Sequence, residues 1–421
     1  MPSWMSALGR VERAVLLPGG ASKEAWAVDV DGEELLVRRA GGGVIHQATL
    51  TLEQEFEVLR AAHEAGVKVP RPIAYLGEVE GREAFVMERI RGETIGRRIV
   101  KAPPPGLEEQ LADELAKIHA IPPARLPFLR QADPIPRFYG ELDSVGEPHP
   151  AIELGLHWVR ERLPRDREPV VSHGDWRIGN LAVDERGLVA VLDWEFAHLG
   201  DPAEDLCWPL VRAWRFGADE RRLGGVGSVE PYLARYAELT GREVTPEELV
   251  VWEVFGNVKW AIGCLTQSRR HFNGQERSVE LAVLGRLAAE MEYELLDLIE
   301  SSDGASSPQT GGAGVAEPPF DRPTPQELCE AVREFLQEEI LPTLEDHRLR
   351  FRTLVAINGL GIAERELWAT ARPRDESDAA ELARRIRAGA VPEDAVPLLR
   401  EQVARKLRVS NPRWLAKYDR A

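Results

Sequence analysis

The sequence predicts an α+β protein that continues into a small all-α helical bundle. Three observations support this prediction. Paired strand-like segments surround one helical segment in about the first 90 residues, a β-hairpin pattern lies near residue 180, and the segments after residue 319 have helical patterns. At 421 residues, the chain is long enough for two or three compact units.

Composition and charge narrow the classes of protein to consider. Apolar residues make up 43% and charged residues 29%, which is typical of a globular protein. The net charge of −17 argues against a nucleic-acid partner and an anionic membrane surface, because both are bound by clustered Lys and Arg. The N-terminal stretch lacks the apolar run of a signal peptide, and the cysteines follow neither disulfide nor metal-ligand spacing. We therefore expect a cytoplasmic protein with free, mostly buried thiols.

The first elements have the pattern of a small α+β unit. AWAVDV and ELLVRRA flank Asp31-Gly32, which is a strong hairpin signal because Gly accepts positive φ. LTLEQEFEVLRAAHEAG has apolar residues at helical spacing and reaches a C-terminal cap signal at Gly66. Two more strands are predicted around Glu80-Gly81. The order is strand, strand, helix, strand, strand.

Helical patterns dominate after a Pro-rich break at residues 103–105. They cover LEEQLADELAKIHAI, residues 151–163 and about 246–299. The stretch SSDGASSPQTGGAGVAEPP, residues 301–319, has almost no large apolar residue and predicts a flexible linker. It separates a domain over residues 1–300 from a helical domain over 320–421, which opens with a capping box at residues 324–327.

The segment SHGDWRIGNLAVDERGLVAVLDWE carries the chemistry. Two short β-like runs are joined by the turn DERG, with Asp175 and Asn180 before the first run and Asp193 at the end of the second. A hairpin returns Asp193 beside Asn180, so three polar side chains converge. Each residue alone is more often a turn former or cap, and it is the combination that indicates a site.

Phosphoryl transfer needs this combination. Mg²⁺ prefers oxygen ligands and keeps several waters, so one carboxylate and one amide oxygen suffice when phosphates supply the rest. A second carboxylate must accept the proton of the incoming hydroxyl. The protein-kinase signature contains an Asp, an Asn five residues later and a metal-binding Asp after a hairpin. We assign Asp175 as the catalytic base, and Asn180 and Asp193 as metal ligands.

The motifs HGDWRIGN, LDWE and GDPAEDL resemble the aminoglycoside phosphotransferase and choline kinase superfamily. More narrowly, they resemble the branch related to the kinase-like domain of acyl-CoA dehydrogenase fusions. The resemblance covers roughly residues 10–300 and implies a bilobal protein-kinase-like fold. It places a small lobe at about 10–90 and a large lobe at about 91–300. It also implies ATP and Mg²⁺ as cofactors.

Upstream positions match the nucleotide-binding residues of that family. PGGASKEAW resembles its phosphate-covering loop, and AFVMERIRGETI resembles its hinge. Arg38 stands where the aminoglycoside enzymes have a Lys that contacts the α- and β-phosphates, and Glu55 matches the helix Glu that pairs with that cation. In the hinge, the resemblance implies that backbone groups of Glu88 and Ile90 contact adenine and that Met87 lies just before them. The nucleotide-binding residues that the resemblance implies are therefore Gly19, Gly20, Ser22, Arg38, Glu55, Met87, Glu88 and Ile90.

Several neighbouring residues are assigned no catalytic role. His173 matches a family His that braces the loop, and Asp201 and Asp205 are expected to cap a helix and brace the loop. The other histidines, such as His119, have no ligand spacing and are expected at surface or satisfied core positions. Arg177 has two open interpretations, as a contact to the γ-phosphate or an acidic substrate, or as a solvated loop residue.

The predicted function is ATP- and Mg²⁺-dependent phosphorylation of a hydroxyl on a small-molecule metabolite. The branch resemblance favours a hydroxyacyl thioester or another hydroxylated metabolite, and use of GTP in place of ATP stays open. One alternative is a nucleotide-binding pseudokinase with a regulatory role. The other is a scaffold. The C-terminal helices resemble a helical domain of unknown function, expected either to pack on the kinase-like domain or to mediate self-association or partner binding.

Overall fold

The structure is a computed structural model that describes residues 3–17, 23–41, 49–131, 133–164, 167–276, 281, 284–302, 329, 332–368 and 376–418. Three predictions concern residues outside these ranges. They are the phosphate-covering loop with Gly19, Gly20 and Ser22, most of the linker 301–319, and the capping box at 324–327.

The β-strands of the described residues are β1 Val11–Leu16, β2 Lys23–Val30, β3 Glu33–Ala40, β4 Pro72–Val79, β5 Arg82–Glu88, β6 Val170–Ser172, β7 Leu181–Asp184, β8 Gly187–Val191 and β9 His198–Gly200.

The α-helices are α1 Leu52–Glu64, α2 Gly96–Ile99, α3 Leu107–His119, α4 Pro134–Val145, α5 Pro150–Arg160, α6 Pro202–Cys207, α7 Val229–Thr240, α8 Pro246–Phe272, α9 Ala288–Ser302, α10 His347–Trp368, α11 Glu376–Arg387, α12 Ala395–Ser410 and α13 Pro412–Leu415. Short 3₁₀ segments include Ser3–Leu8, Ile178–Asn180 and Trp208–Leu210.

Strands β1 to β5 form one antiparallel sheet in the order β1-β2-β3-β5-β4. Both predicted hairpin turns are present. Asp31 and Gly32 have φ of 51° and 82°, and Glu80 and Gly81 have φ of 51° and 73°. Positive φ at both central positions matches the right-handed twist of the flanking strands. The strand, strand, helix, strand, strand order is confirmed, preceded by a β1 strand that the sequence analysis missed.

The pleat of β3 directs its side chains to two different environments. Val37 is fully buried in a cluster with Trp4, Met5 and Val86 on one face of the sheet. Arg38, the next residue, therefore points to the opposite face. There α1 packs on the sheet, with the ring of its Phe56 5.7 Å from that of Phe85 on β5. This alternation is what brings a strand cation next to a helix carboxylate.

Strands β7 and β8 form the predicted hairpin, with Leu181 paired to Val191 and Asp184 to Gly187. The backbone N–H of Leu192 donates to the carbonyl of Asn180 at 2.8 Å. Asp193 follows directly, so the return of the chain to Asn180 is confirmed. The three-residue strands β6 and β9 pair separately; the sequence analysis missed them because so short a strand shows no period.

The chain divides into two compact units. The first comprises Met1–Ala132 and Pro164–Trp252 and contains all nine strands of the described residues. The second comprises Asp133–Leu163 and Glu253–Ala421 and contains helices only in its described part. The predicted α+β class with a helical C-terminal part is confirmed, whereas the division into residues 1–300, 301–319 and 320–421 stays a prediction.

Within the second unit, α12 packs on α9 and α11 packs on α5. Charged side chains accompany this packing: Lys406 on α12 pairs with the fully buried Glu292 on α9, and Arg387 on α11 pairs with Glu153 on α5. The C-terminal helices thus pack on two helices, α5 and α9, that begin before residue 300.

Two further findings concern buried apolar surface and thiols. Among the described residues one helix, Pro246–Arg270, is long and apolar enough to pass a test for a membrane span, and 67% of its window is buried. Buried core helices pass the same test, so this is weak support for a span. The cysteines are free, with Cys207 and Cys264 buried and Cys329 partly exposed.

Candidate active site

The loop after β6 carries the predicted catalytic base, Asp175. Gly174 precedes it with φ of 79°, and a Cβ at that position would lie 2.2 Å from the carbonyl oxygen of Phe196. Only glycine fits a position that combines this φ with so close an approach. The loop is therefore in direct contact with the segment that follows Asp193.

His173 links the loop to the hairpin. Its Nε2 lies 3.0 Å from the carbonyl oxygen of Leu192, and its Nδ1 accepts the backbone N–H of Asp175 at 3.2 Å. Burial lowers the pKa of His173 below its ordinary value, so the ring is neutral and carries one proton. With Nδ1 as the acceptor, that proton lies on Nε2 and is donated to Leu192. The expected bracing role is confirmed.

Asp205, on α6, holds the same loop through two backbone hydrogen bonds. Its two oxygens accept the backbone N–H groups of His173 at 2.6 Å and of Gly174 at 2.9 Å. His119 Nε2 lies 3.3 Å from the same carboxylate, so this histidine is a satisfied core residue.

Asp201 accepts the N–H of Ala203 at 2.8 Å and caps α6. The expected brace and cap are both confirmed.

The carboxylate of Asp175 is held by three side chains. Oδ1 accepts the indole N–H of Trp208 at 2.7 Å and Nε–H of Arg177 at 3.0 Å, and Oδ2 accepts from Nδ2 of Asn180 at 2.6 Å. The guanidinium of Arg177 also lies 4.7 Å from the ring centre of Trp214. Arg177 therefore orients Asp175, although its side chain stays 26% exposed. A contact of Arg177 with the γ-phosphate or an acidic substrate stays a prediction.

Asn180 has one amide atom left for a ligand. It is 5% exposed, and Nδ2 donates to both the backbone carbonyl and Oδ2 of Asp175 at 3.0 and 2.6 Å. Both neighbours are acceptors, which places the NH₂ group toward them and leaves Oδ1 for another partner. An amide oxygen is a suitable Mg²⁺ ligand.

Asp193 closes the hairpin with φ of 63°, which is unusual for a residue other than glycine. Its side chain is 36% exposed, and its Oδ1 accepts from Nη2 of Arg38 at 3.1 Å. Burial opposes ionisation, but the charges of Arg38 and Lys23 outweigh it and hold the pKa of Asp193 below its ordinary value. Asp193 is thus an available carboxylate ligand.

An ionic network surrounds Glu55, which is 2% exposed. Nη1 of Arg38 lies 3.0 Å from Oε1, so the expected Arg38–Glu55 pair is present. Nζ of Lys23 lies 2.6 Å from Oε2 of Glu55 and 2.9 Å from Oε2 of Glu195. No sequence motif predicted a role for Lys23 or Glu195. A lysine that opens a strand directly after a Gly-rich segment was the available signal.

The predicted hinge residues follow β5. Met87 is buried at 6% exposure, and Glu88 ends the strand with its backbone N–H donated to the carbonyl of Arg71 at 2.9 Å. Ile90 lies two residues beyond. Contacts of Glu88 and Ile90 with adenine stay a prediction, as does the phosphate role of Gly19, Gly20 and Ser22, which lie outside the described residues.

The donor set fits a nucleotide-bound Mg²⁺ better than a protein-only metal site. In the part of the chain that the structure describes, no group of three or more His, Cys, Asp or Glu side chains could hold a metal ion. Oδ1 of Asn180 and the carboxylate of Asp193 supply two oxygen ligands. Mg²⁺ commonly takes its other ligands from waters and phosphates.

Comparison with known proteins agrees with this geometry. Residues 13–241, more than half of the chain, match the phosphotransferase enzyme family, and residues 342–414 match a domain of unknown function. The first match contains the whole candidate site.

Relatives include acyl-CoA dehydrogenase family members. Member 11 from Pongo abelii is 23% identical over 353 residues, covering 77% of this chain and 44% of the relative. Member 10 from Mus musculus is 28% identical over 253 residues, covering 52% of this chain and 23% of the relative. The chain thus spans less than half the length of either relative.

Solved structures with a similar fold include phosphotransferases. A Ralstonia eutropha structure assigned to the aminoglycoside phosphotransferases has a TM-score of 0.57 at 20% identity, covering 71% of this chain and 97% of that one. A spectinomycin phosphotransferase in complex with ADP and spectinomycin has a TM-score of 0.50 at 14% identity, covering 68% and 93%. These likenesses confirm the kinase-like fold. The chain belongs to the phosphotransferase enzyme family.

Proposed function

We propose that the protein is an ATP- and Mg²⁺-dependent phosphotransferase that phosphorylates a hydroxyl group of a small-molecule metabolite. The arrangement that supports this most strongly is the 2.6 Å hydrogen bond between Asp175 and Asn180, with Asn180 directly before the hairpin and Asp193 just after it. A base and two oxygen ligands in one rigid arrangement are what transfer to a hydroxyl requires.

In this proposal Asn180 and Asp193 hold Mg²⁺ through oxygen atoms. The bound ion would neutralise charge on the phosphates. Asn180 is fixed by its bonds to Asp175, and Asp193 by its position after the hairpin. The hydrogen bond from the backbone of Leu192 to that of Asn180 keeps the residue before Asp193 next to Asn180, which supports this assignment of the two ligands.

Asp175 orients the acceptor hydroxyl and takes its proton. Trp208 and Arg177 both donate to Oδ1, which fixes the plane of the carboxylate. A positioned general base typically contributes 10²–10⁴-fold to rate, and a fixed orientation is part of that contribution.

Nucleotide binding is assigned to the first unit. The backbone of Glu88 and Ile90, beside Met87, would contact adenine, and Gly19, Gly20 and Ser22 would cover the phosphates. Arg38 pairs with Asp193 and Lys23 pairs with Glu195, two residues further along, so these two cations would serve the phosphates. Glu55 holds both of them.

For the acceptor we propose a hydroxyacyl metabolite, such as a hydroxyacyl thioester. This rests on the likeness to acyl-CoA dehydrogenase family members 10 and 11 and not on a pocket. We further propose that the protein acts in the cytoplasm, and that residues 320–421 form a helical domain joined through the linker 301–319.

A second candidate function is nucleotide binding without transfer. The observation in its favour is that Asp193 pairs with Arg38 and Asp175 pairs with Arg177. Both carboxylates are thus engaged by guanidinium groups. A regulatory protein that binds nucleotide could keep these pairs intact.

The test is a thermal-shift titration of the full chain with ATP, GTP and ADP, with and without Mg²⁺, followed by an acceptor screen of hydroxy acids and their thioesters. A Mg²⁺-dependent rise in melting temperature supports the nucleotide site. Asp175→Asn should abolish transfer and leave the nucleotide shift intact, whereas Asp184→Asn, at the opposite end of the hairpin, should keep activity. Binding without transfer in the wild type would favour the second candidate, and no shift with any nucleotide would contradict both.

A further inference from the structure

Lys23 occupies a position in the ionic network that no motif assigned to it. It is the first residue of β2, and its side chain is 10% exposed. In the β2–β3 register Ala25 lies opposite Arg38. Residues two apart on a strand share a face, so Lys23 and Arg38 project from the same face of the sheet toward α1.

The two cations use the network differently. The terminal nitrogens of Arg38 are divided between two carboxylates, with Nη1 3.0 Å from Glu55 and Nη2 3.1 Å from Asp193. A guanidinium is planar, so rotation that turns one nitrogen to a new partner also moves the other. Arg38 therefore acts as a bridge between α1 and the end of the hairpin.

The ammonium of Lys23 has more freedom. It contacts Oε2 of Glu55 at 2.6 Å and Oε2 of Glu195 at 2.9 Å. An ammonium carries three N–H donors on a flexible stem, so a third donor stays available when both carboxylates are kept. A compact, partly anchored cation that shares Glu55 with Arg38, the partner of Asp193, is suited to a phosphate oxygen.

We infer that Lys23, on β2, is the cation that contacts the non-transferred phosphates of the nucleotide. Arg38, on β3, is a positioning residue that holds Glu55 and Asp193. Glu55 serves both roles, because its two oxygens are divided between the two cations. This inference rests on the proposed nucleotide binding and assigns the phosphate contact to a different strand from the one that sequence resemblance suggested.

The test compares binding of Mg²⁺-ADP and of adenosine to the full chain by isothermal titration calorimetry. Only ADP has phosphates, so loss of a phosphate contact changes ADP affinity and spares adenosine. Lys23→Met keeps the apolar stem and removes the charge. Lys23→Met should weaken the binding of Mg²⁺-ADP by about tenfold or more, and the affinity for adenosine should stay within about threefold of the wild-type value.

Arg38→Met is the matched comparison. It removes a cation from the same network and should weaken ADP less than Lys23→Met does. Lys23→Met leaves Glu195 without its cation, whereas Glu55 keeps its pair with Arg38. Lys23→Met combined with Glu195→Gln is therefore measured in parallel to remove the uncompensated charge of Glu195. Circular dichroism checks that each variant folds.

The possible outcomes distinguish a failure of the role of Lys23 from a failure of the proposed nucleotide site. Wild-type protein that binds no ADP overturns the proposed nucleotide site and the role of Lys23 with it. Wild-type binding with an unchanged ADP affinity in the Lys23 variants overturns the role of Lys23 alone. The role of Lys23 would also be overturned if Arg38→Met lost more ADP affinity than Lys23→Met. It would be overturned as well if Lys23→Met lost affinity for ADP and for adenosine equally.

Discussion

The indole nitrogen of Trp208 donates a 2.7 Å hydrogen bond to Oδ1 of Asp175. Trp208 is 5% exposed and lies on a 3₁₀ segment that follows α6, so the bond ties the candidate base to a buried element outside its own loop. The proposed function makes this contact a determinant of how Asp175 faces an acceptor.

Trp208→Phe should lower kcat by about tenfold, because a hydrogen bond to a charged group is worth roughly 1.5–3 kcal/mol and the ring packing is kept. The measurement is steady-state turnover with the acceptor found in the screen. Trp158→Phe is the control, since its buried indole N–H has no hydrogen-bond partner among the described residues and lies in the other unit. Equal kcat values in wild type and Trp208→Phe would contradict the orienting role.

Asp193→Ala should remove the ability of Mg²⁺ to strengthen ATP binding. Loss of this carboxylate also frees Arg38 from its 3.1 Å pair, so ATP affinity without Mg²⁺ should stay equal or rise. Calorimetric titrations with and without Mg²⁺ measure the difference. Asp184→Ala, on the same hairpin, should respond to Mg²⁺ as the wild type does. A retained Mg²⁺ effect in Asp193→Ala would rule out the metal-ligand assignment.

Gly174→Ala should strongly destabilise the first unit. The added Cβ would lie 2.2 Å from a backbone carbonyl oxygen at a φ of 79°, and we expect a loss of about 3 kcal/mol or more in the free energy of unfolding. Gly241 has a φ of 70°, but a Cβ added there would have no atom within 4 Å. Gly241→Ala should therefore lower the free energy of unfolding by only about 1 kcal/mol. Urea unfolding compares the two, and similar midpoints would show that the loop can shift.

Much of this arrangement could be predicted because it is local in sequence. Asp31-Gly32 and Glu80-Gly81 specify their turns through φ, and the spacing of Asp175, Asn180 and Asp193 specifies one hairpin. The role of Trp208 could not be predicted. It meets Asp175 across 33 positions, and only the packing of α6 and the segment after it brings the two together.

Lys23 escaped the sequence analysis for a similar reason. Its partner Glu55 is 32 positions away and its partner Glu195 lies beyond the hairpin. Strand β1 was missed because its residues, VERAVL, do not alternate between apolar and polar, so its sequence lacks the period-two pattern of a half-buried strand.

The second unit offers a prediction on pH. Burial opposes ionisation of Glu292, but the charge of Lys406 and the hydrogen bond with His149 at 2.8 Å outweigh it and lower its pKa to about 2 from 4.5. The unfolded chain then binds more protons than the folded chain between these pH values. The stabilisation by Glu292 is therefore complete above about pH 4.5 and is lost as pH falls toward 2.

Glu292→Gln should accordingly be less stable than wild type at pH 7, by about 3 kcal/mol, and the difference should shrink below about pH 4. This difference in the free energy of unfolding is measured by urea unfolding across this pH range, from the transition that reports on the second unit. Glu393→Gln changes an exposed glutamate of the same unit and should show no such trend. A difference between Glu292→Gln and wild type that is constant with pH would contradict the depressed pKa.

The ring of His173 has a consequence for the whole site. One ring nitrogen bonds the backbone of Asp175, and the other bonds Leu192, the residue before Asp193. The distance between the two nitrogens of an imidazole is set by covalent bonds and does not change with temperature or ligand. The imidazole is thus a spacer of fixed length between two hydrogen bonds, and as long as both bonds are kept it limits how far the backbone of the proposed base can move from the residue before the proposed metal ligand.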